Sequence, residues 1–341
     1  MNNSSLIEKN NGIYIIRQQM PYPLKENNAY LAETEKGWAV IDLGIDIPQT
    51  RELWNAAIET AGITFSAIKK IIVTHCHPDH LGAAAWMQRM TGATVYMSKI
   101  DMDNASTYVF LKGDKHASYE KVISDAAVKY DFGQEKTGRL VIDWCDNVVP
   151  FFPEPEYIEP LCEDEEIILN NSLYRVKILP GHTDGQIVLW CKENGTLYSG
   201  DIFAEKGYLH FADWPNTNNE NPLKDFFTSL QIIEEMNPVI IYPGHGRPVT
   251  SYREIFSKLR HRHNKLLGIF ESLIAEPVTV GRLYEKVFPV PQTGEFGDYI
   301  HYHRVLMGET AGYLNYLVSR GKISVKTEDG MLLYFNPGKA E

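Results

Sequence analysis

Seven residues, Thr74-His75-Cys76-His77-Pro78-Asp79-His80, follow directly on the apolar stretch Ile71 to Val73 and precede a helical pattern from Leu81 to Met90. In a chain of 341 residues with 11 histidines, the pattern His-x-His-x-Asp-His is expected by chance on the order of 0.0006 times, so its presence needs a physical cause. In extended backbone, residues i and i+2 point to the same side, which lets His75 and His77 bind one ion through imidazole nitrogens. The chain then bends, turning Asp79 and His80 towards a second ion. A strand that ends in a polar loop and opens a helix is where α/β proteins carry their sites.

Two ions need more ligands, and three further strand ends supply them. Arg175 to Leu179 runs into Pro180-Gly181-His182-Thr183-Asp184-Gly185, Thr196 to Ser199 into Gly200-Asp201, and Val239 to Tyr242 into Pro243-Gly244-His245-Gly246. Each candidate follows a strand and a glycine, which permits the tight turn that brings a ligand-bearing loop close. Singly, each is an ordinary loop residue; behind the first motif they read as one set. Upstream, Gly12 to Arg17 and Asn28 to Leu43 alternate as an antiparallel meander, and Pro48 to Ala61 reads as a helix.

Composition bounds the rest. With 44% hydrophobic and 23% charged residues the chain buries a sizeable core, which excludes disordered and low-complexity classes, and its length favours two domains. No apolar run approaches the ~18 residues of a membrane span, and the polar start is unlike a signal peptide. The four cysteines, Cys76, Cys145, Cys162 and Cys191, form no CxxC pair, which suits a reducing compartment; a cytoplasmic address is expected. A net charge of −11 disfavours phosphate backbones and anionic membranes as partners.

The motifs THCHPDH, GHTDG, SGD and PGHG, in this order between about Gly12 and Thr250, resemble those of metallo-β-lactamase-fold hydrolases. The resemblance implies an αββα sandwich with its site along one edge of the paired sheets. It implies that His75, His77 and His182 bind one metal, that Asp79, His80 and His245 bind a second, and that Asp201 bridges. β-Lactamases of this fold usually replace the His80-type ligand and carry Cys or His where Asp201 stands; the full set of seven is similar instead to the dinuclear glyoxalase II-like thioesterases, lactonases and phosphodiesterases. Two divalent ions, zinc before iron or manganese, would lower the pKa of a shared water and polarise the scissile group. Asp79 is then the candidate catalytic residue, orienting the nucleophile and passing a proton to the leaving group. Asp42 and Asp184 are candidates to fix the tautomer of a ligand imidazole.

Specificity is expected from two segments. Residues 99–161 read as an inserted, lid-like segment, with helices from Asp101 to Leu111 and Ser118 to Tyr130 and a Pro-aromatic stretch whose Phe151, Phe152 and Tyr157 would line an apolar wall. After Asp201, Tyr208 and His210 are candidates to donate to a developing oxyanion. Lactonases of the fold often carry tyrosine where this chain has Ala204, which weakens that alternative.

Residues 1–250 are therefore expected to form the catalytic domain. Residues 251–341 read as three helices and a hairpin around Asp329-Gly330, and Met307 to Ile323 resembles the winged-helix tail of some hydrolases of this fold. One relative with that architecture is an endoribonuclease, but this module is only near +2, far short of a basic footprint. The expectation is thus a hydrolase of a small-molecule acyl substrate, a thioester first, with nucleic acid disfavoured, no membrane partner and a homodimer left open. A phosphodiesterase or endoribonuclease, a lactonase, and a non-enzymatic winged-helix regulator are the alternatives.

Overall fold

The computed structural model describes residues 6–20, 25–111, 115–144, 152–205, 210–211, 214–217, 219–288 and 300–338. Within them the meander forms as β1 (Ile7–Asn10), β2 (Ile13–Gln19), β3 (Glu26–Thr34) and β4 (Gly37–Ile41). Three parallel strands extend it: β5 (Ile68–Ile72), β6 (Thr94–Ser98) and β7 (Ile158–Leu161). A second sheet has the order β12-β11-β10-β9-β8, built from β8 (Glu166–Leu169), β9 (Ser172–Ile178), β10 (Ile187–Cys191), β11 (Thr196–Gly200) and β12 (Ile240–Pro243), the last parallel to β11.

The period of two decides which core each residue joins. Ile13 and Ile15 pack into a core shared with Tyr174, Val176, Ile187 and Leu189 of the second sheet, whereas Tyr14 and Ile16 turn outward. There they share a core with Leu53 and Trp54 of α1 (Pro48–Ala61). On the second sheet, Val188 and Leu197 turn outward to a cluster that includes Leu230 and Ile233 of α7 (Pro222–Met236), a helix capped by the Asn221 side chain on the Lys224 amide. Burial on both faces is why β10 reads as an unbroken apolar run.

The helix expected from Leu81 to Met90 is two pieces, α2 (Pro78–Leu81) and α3 (Ala84–Thr91). The 99–161 segment needs a larger correction. It contains α4 (Lys99–Tyr108), α5 (Lys115–Tyr130) and α6 (Gln134–Val141), but its end is β7, a strand of the main sheet, so the segment is not wholly an appendage. Parallel β6 and β7 require a long crossover, and the helices supply it.

Beyond residue 250 come α8 (Tyr252–Leu273), α9 (Val280–Val287), α10 (Ile300–Ser319) and the hairpin of β13 (Ser324–Glu328) and β14 (Met331–Phe335). Asp329 and Gly330 both have positive φ, as a two-residue hairpin turn demands. Phe256, Phe270, Tyr284 and Tyr313 from these helices lie in the same hydrophobic cluster as the outer core of the sheets. No helix among the described residues is long and apolar enough to cross a membrane.

Glu309, in the middle of α10, is fully buried with neither carboxyl oxygen hydrogen-bonded, and burial pushes its carboxyl well above the usual range. The folded state therefore keeps a proton that the unfolded chain releases, and the stability this confers falls as pH rises from the ordinary carboxylate range through the folded value. Glu309→Gln is expected to gain thermal stability relative to the parent as pH rises above the ordinary carboxylate range, by at most about 1.4 kcal/mol per pH unit. Parallel melting curves at matched metal content check this, and an unchanged gap between the two proteins across that rise in pH would refute it.

Candidate metal centre

The first loop is anchored from beneath. Asp42 follows β4 at φ +58, a left-handed conformation that aspartate tolerates better than most residues. Its carboxylate accepts from the Thr74 amide at 2.8 Å, the Thr74 hydroxyl at 2.8 Å and His80 Nδ1 at 2.8 Å. The second loop is held by α7, where Ser229 donates to the Pro180 carbonyl at 2.6 Å and the Phe226 backbone presses on Gly181, which precedes His182. At Gly244 a Cβ would stand 2.0 Å from Asp201 Oδ1 and 2.8 Å from His80 Cε1, so only glycine lets the last loop carry His245 this close.

These loops bring His75, His77, Asp79, His80, His182, Asp201 and His245 together. His77 Nδ1 lies 3.1 Å from His75 Nε2 and 2.9 Å from His182 Nε2. Next to them, His245 Nε2 stands 3.4 Å from Asp79 Oδ2, and His80 Nε2 is 3.6 Å from the same oxygen. Asp201 lies between the two groups, with Oδ2 3.0 Å from His245 and 3.6 Å from His182, and Oδ1 3.4 Å from His80. Three sets of donors, His75/His77/His182, His75/His80/Asp201 and Asp79/His80/His245, each have ligand atoms within 4.8 Å of one another.

Most of the charge here is buried. Burial opposes protonation of His80 and His245, but the carboxylates around them outweigh it, lifting His80 well above its ordinary value and His245 to about 10. Burial alone would raise Asp201, yet His245 and His80 overcome it and hold the carboxyl well below the usual range. His75, by contrast, is driven well below its ordinary value by burial and by neighbouring imidazoles. His80 Nε2, His245 Nε2 and Asp201 Oδ1 are buried without a hydrogen-bond partner. His182 Nδ1 donates to the His210 carbonyl at 2.7 Å and His245 Nδ1 to the Glu26 carbonyl at 2.6 Å, which turns each Nε2 towards the cluster. Inward-facing ring nitrogens, two carboxylates and no thiolate make these His/Asp clusters suited to a dinuclear site for divalent metals.

The other sequence candidates fare differently. Asp42 does bond a cluster imidazole, while Asp184 accepts from the Thr217 hydroxyl at 2.6 Å. His210 contributes its carbonyl, and its ring lies tilted 4.4 Å from that of His182 and stacks 5.6 Å from that of His77. Tyr208 and Phe151 lie outside the described residues. Tyr157 has to be withdrawn as a pocket residue: it precedes β7, which runs parallel to β5 and β6, whereas the first ligand loop leaves the opposite ends of those strands. Phe152 is core packing, with its ring against Gly82.

Asp101 escapes a reading of the sequence. It is fully buried and ties two ligand loops together, accepting from the Cys76 amide at 3.1 Å, the Thr183 hydroxyl at 2.8 Å and the Gly185 amide at 3.0 Å. Burial lifts its carboxyl to about 6 against the pull of those donors. Ser98-x-x-Asp101 carries the signature of a helix cap, and Ser98 does accept from the Asp101 amide, which hides the second use of the side chain. Asp101→Ala strands several buried donors at about 1–3 kcal/mol each. Its melting temperature is expected to drop even in chelator, a result that a parent-like melt would contradict.

A family model described as the Metallo-beta-lactamase superfamily matches residues 23–245, which span all seven cluster residues. The chain belongs to the metallo-beta-lactamase superfamily. Within it, the chain is similar to "Probable metallo-hydrolase YqjP" of Bacillus subtilis, 23% identical across 96% of this chain and 98% of that one. A metallo-beta-lactamase family protein of Thermus thermophilus superposes with a TM-score of 0.76 at 25% identity, covering 95% of this chain and 98% of the other. A beta-lactamase domain protein of Burkholderia ambifaria does so at 0.77, with 22% identity and coverage of 96% and 93%. Superfamily relatives with named substrates include the hydroxyacylglutathione hydrolase GloC of Haemophilus influenzae, 22% identical over 67% of this chain and 90% of that protein. Another is the acyl-coenzyme A thioesterase MBLAC2 of Gallus gallus, 23% identical over 69% and 77%. These hydrolase relatives support a metal-dependent hydrolase.

Proposed function

We propose that the chain is a dinuclear metal hydrolase of small acyl substrates, thioesters foremost. The observation that carries the reading is the convergence of seven ligand-type side chains from four strand ends, with buried donor atoms that have no hydrogen-bond partner. In it, His75, His77 and His182 hold one ion, Asp79, His80 and His245 hold the other, and Asp201 serves both. When bound, two such ions acidify water and polarise a scissile carbonyl.

The chain's own groups do the rest. Asp42, Glu26 and His210 keep three imidazoles in the tautomer that presents Nε2. Asp79 is the one cluster carboxylate that is only half-buried, so its Oδ2 is placed to take a proton from attacking water and give it to the leaving thiolate. The thioester preference draws on the named substrates of GloC and MBLAC2, acylated glutathione and coenzyme A.

The region from α8 to β14 is read as a winged helix with a structural role. Its order of three helices and a hairpin and its weak net charge support that reading over nucleic-acid binding. The test is a screen of purified protein loaded in turn with zinc, iron and manganese. It uses acyl-coenzyme A and acyl-glutathione thioesters, lactones, an alkyl sulfate, bis-p-nitrophenyl phosphate and RNA. The highest kcat/KM is expected on a thioester, read as free thiol; a higher value on RNA or the phosphodiester would replace this reading with its rival.

A further inference from the structure

The carbonyl that orients His182 belongs to a peptide plane whose other half is Phe211. Because the peptide unit is planar, the direction of the His210 C=O is set by where Phe211 is held. The Phe211 ring is fully buried and edge-on to two rings from beyond residue 250, Tyr313 at 5.2 Å and His263 at 5.4 Å. His263 Nδ1 and the Tyr313 hydroxyl are 2.6 Å apart, which locks α8 to α10 at that point. Gly312 completes the socket, since a Cβ there would come within 2.6 Å of the Phe211 ring. A few residues on, Arg304 of α10 donates to the Trp214 carbonyl at 2.6 Å, anchoring the same stretch a second time.

We infer that the three-helix module is a positioning element of the first metal subsite: through Phe211 it holds the His210 carbonyl that fixes the tautomer and aim of His182. This rests on the reading above that His182 is a metal ligand. It adds that residues far downstream of His182 in the chain set the affinity of one subsite and not the other. His80 and His245 take their Nδ1 acceptors from Asp42, just after β4, and Glu26, the first residue of β3, so neither of these orienting contacts is made by the module. An outer partner of a ligand imidazole is worth about 10–100-fold in metal affinity.

Gly312→Ala tests it, because alanine suits a helix interior and its effect here comes through the ring it displaces. Gly268→Ala in α8, where a Cβ would meet nothing within 4 Å, is the matched control. Stepwise ion affinities come from chelator competition, and the His182 Nδ1 proton is followed by nitrogen-15 imidazole NMR in metal-free protein. Expected for Gly312→Ala are a loss of about tenfold or more in one of the two affinities, a near-parental value for the other, and a shifted or lost Nδ1–H signal. Gly268→Ala should match the parent, and adding Phe211→Leu to Gly312→Ala should recover part of the loss by clearing the clash. If Gly312→Ala does not fold, Phe211→Leu alone is expected to weaken the same ion. A folded variant that binds both ions as the parent does, with the Nδ1–H signal unmoved, overturns the inference. A parent chain that binds no ion sinks the metal reading, and this inference with it.

Discussion

Asp79→Asn is expected to lower kcat by about 10²–10⁴-fold while changing folding stability by about 1 kcal/mol or less. The side chain sits in the first turn of α2, half-buried, with Oδ2 between His245 and His80 at 3.4 and 3.6 Å. Burial alone would raise its carboxyl, but His80 and His245 outweigh it and hold the group ionised, well below the usual range. It therefore begins as a proton acceptor, and at an edge of the cluster that substrate and water can reach. Asparagine keeps the shape and one ligand oxygen but cannot take the proton. Single-turnover rates with matched metal content separate that loss from weakened binding, and a kcat within a few-fold of the parent would remove Asp79 from the chemistry.

Much of this centre is legible in the sequence because its logic is local. The i, i+2 pair His75 and His77, the strand-to-glycine transitions before His182, Asp201 and His245, and the helix start at Pro48 all follow from spacing within a few residues. What escapes is what depends on contacts far apart in the chain. Short β6, β7 and β8 lack long alternation, and β7 is a strand because β6 offers it an edge. Asp101 meets its partners 25 to 84 residues away, two of them backbone amides that leave no trace in residue type. Tyr157 misleads for the opposite reason: an aromatic near prolines suggests an apolar wall, and only strand direction reveals that it stands at the other rim. The Phe211 socket is less visible still, since the glycine that makes room for the ring lies far downstream on α10.

Asp201→Asn should be the most damaging single change to metal binding. No other cluster carboxylate reaches both histidine groups, with His245 at 3.0 Å, His80 at 3.4 Å and His182 at 3.6 Å. Two divalent cations bring four positive charges into a buried site where Asp79 and Asp201 supply the facing negative charge, so neutralising one removes about half of it. Breaking a buried charge pairing costs about 3–5 kcal/mol, which corresponds to roughly 10²–10⁴-fold in affinity at 1.4 kcal/mol per decade. The tight seat offers no relief, because the Gly244 backbone lies against Oδ1 and leaves no room for the amide to turn away. An ion present at about 100 times its Kd stabilises the fold by about 2.7 kcal/mol, so most of the melting-temperature rise on metal addition should vanish in the variant. Ion content is expected to fall to one per chain or fewer. Two retained ions with a parental rise in melting temperature would mean that Asp201 does not serve both subsites, and the seven residues would then have to be divided differently between them.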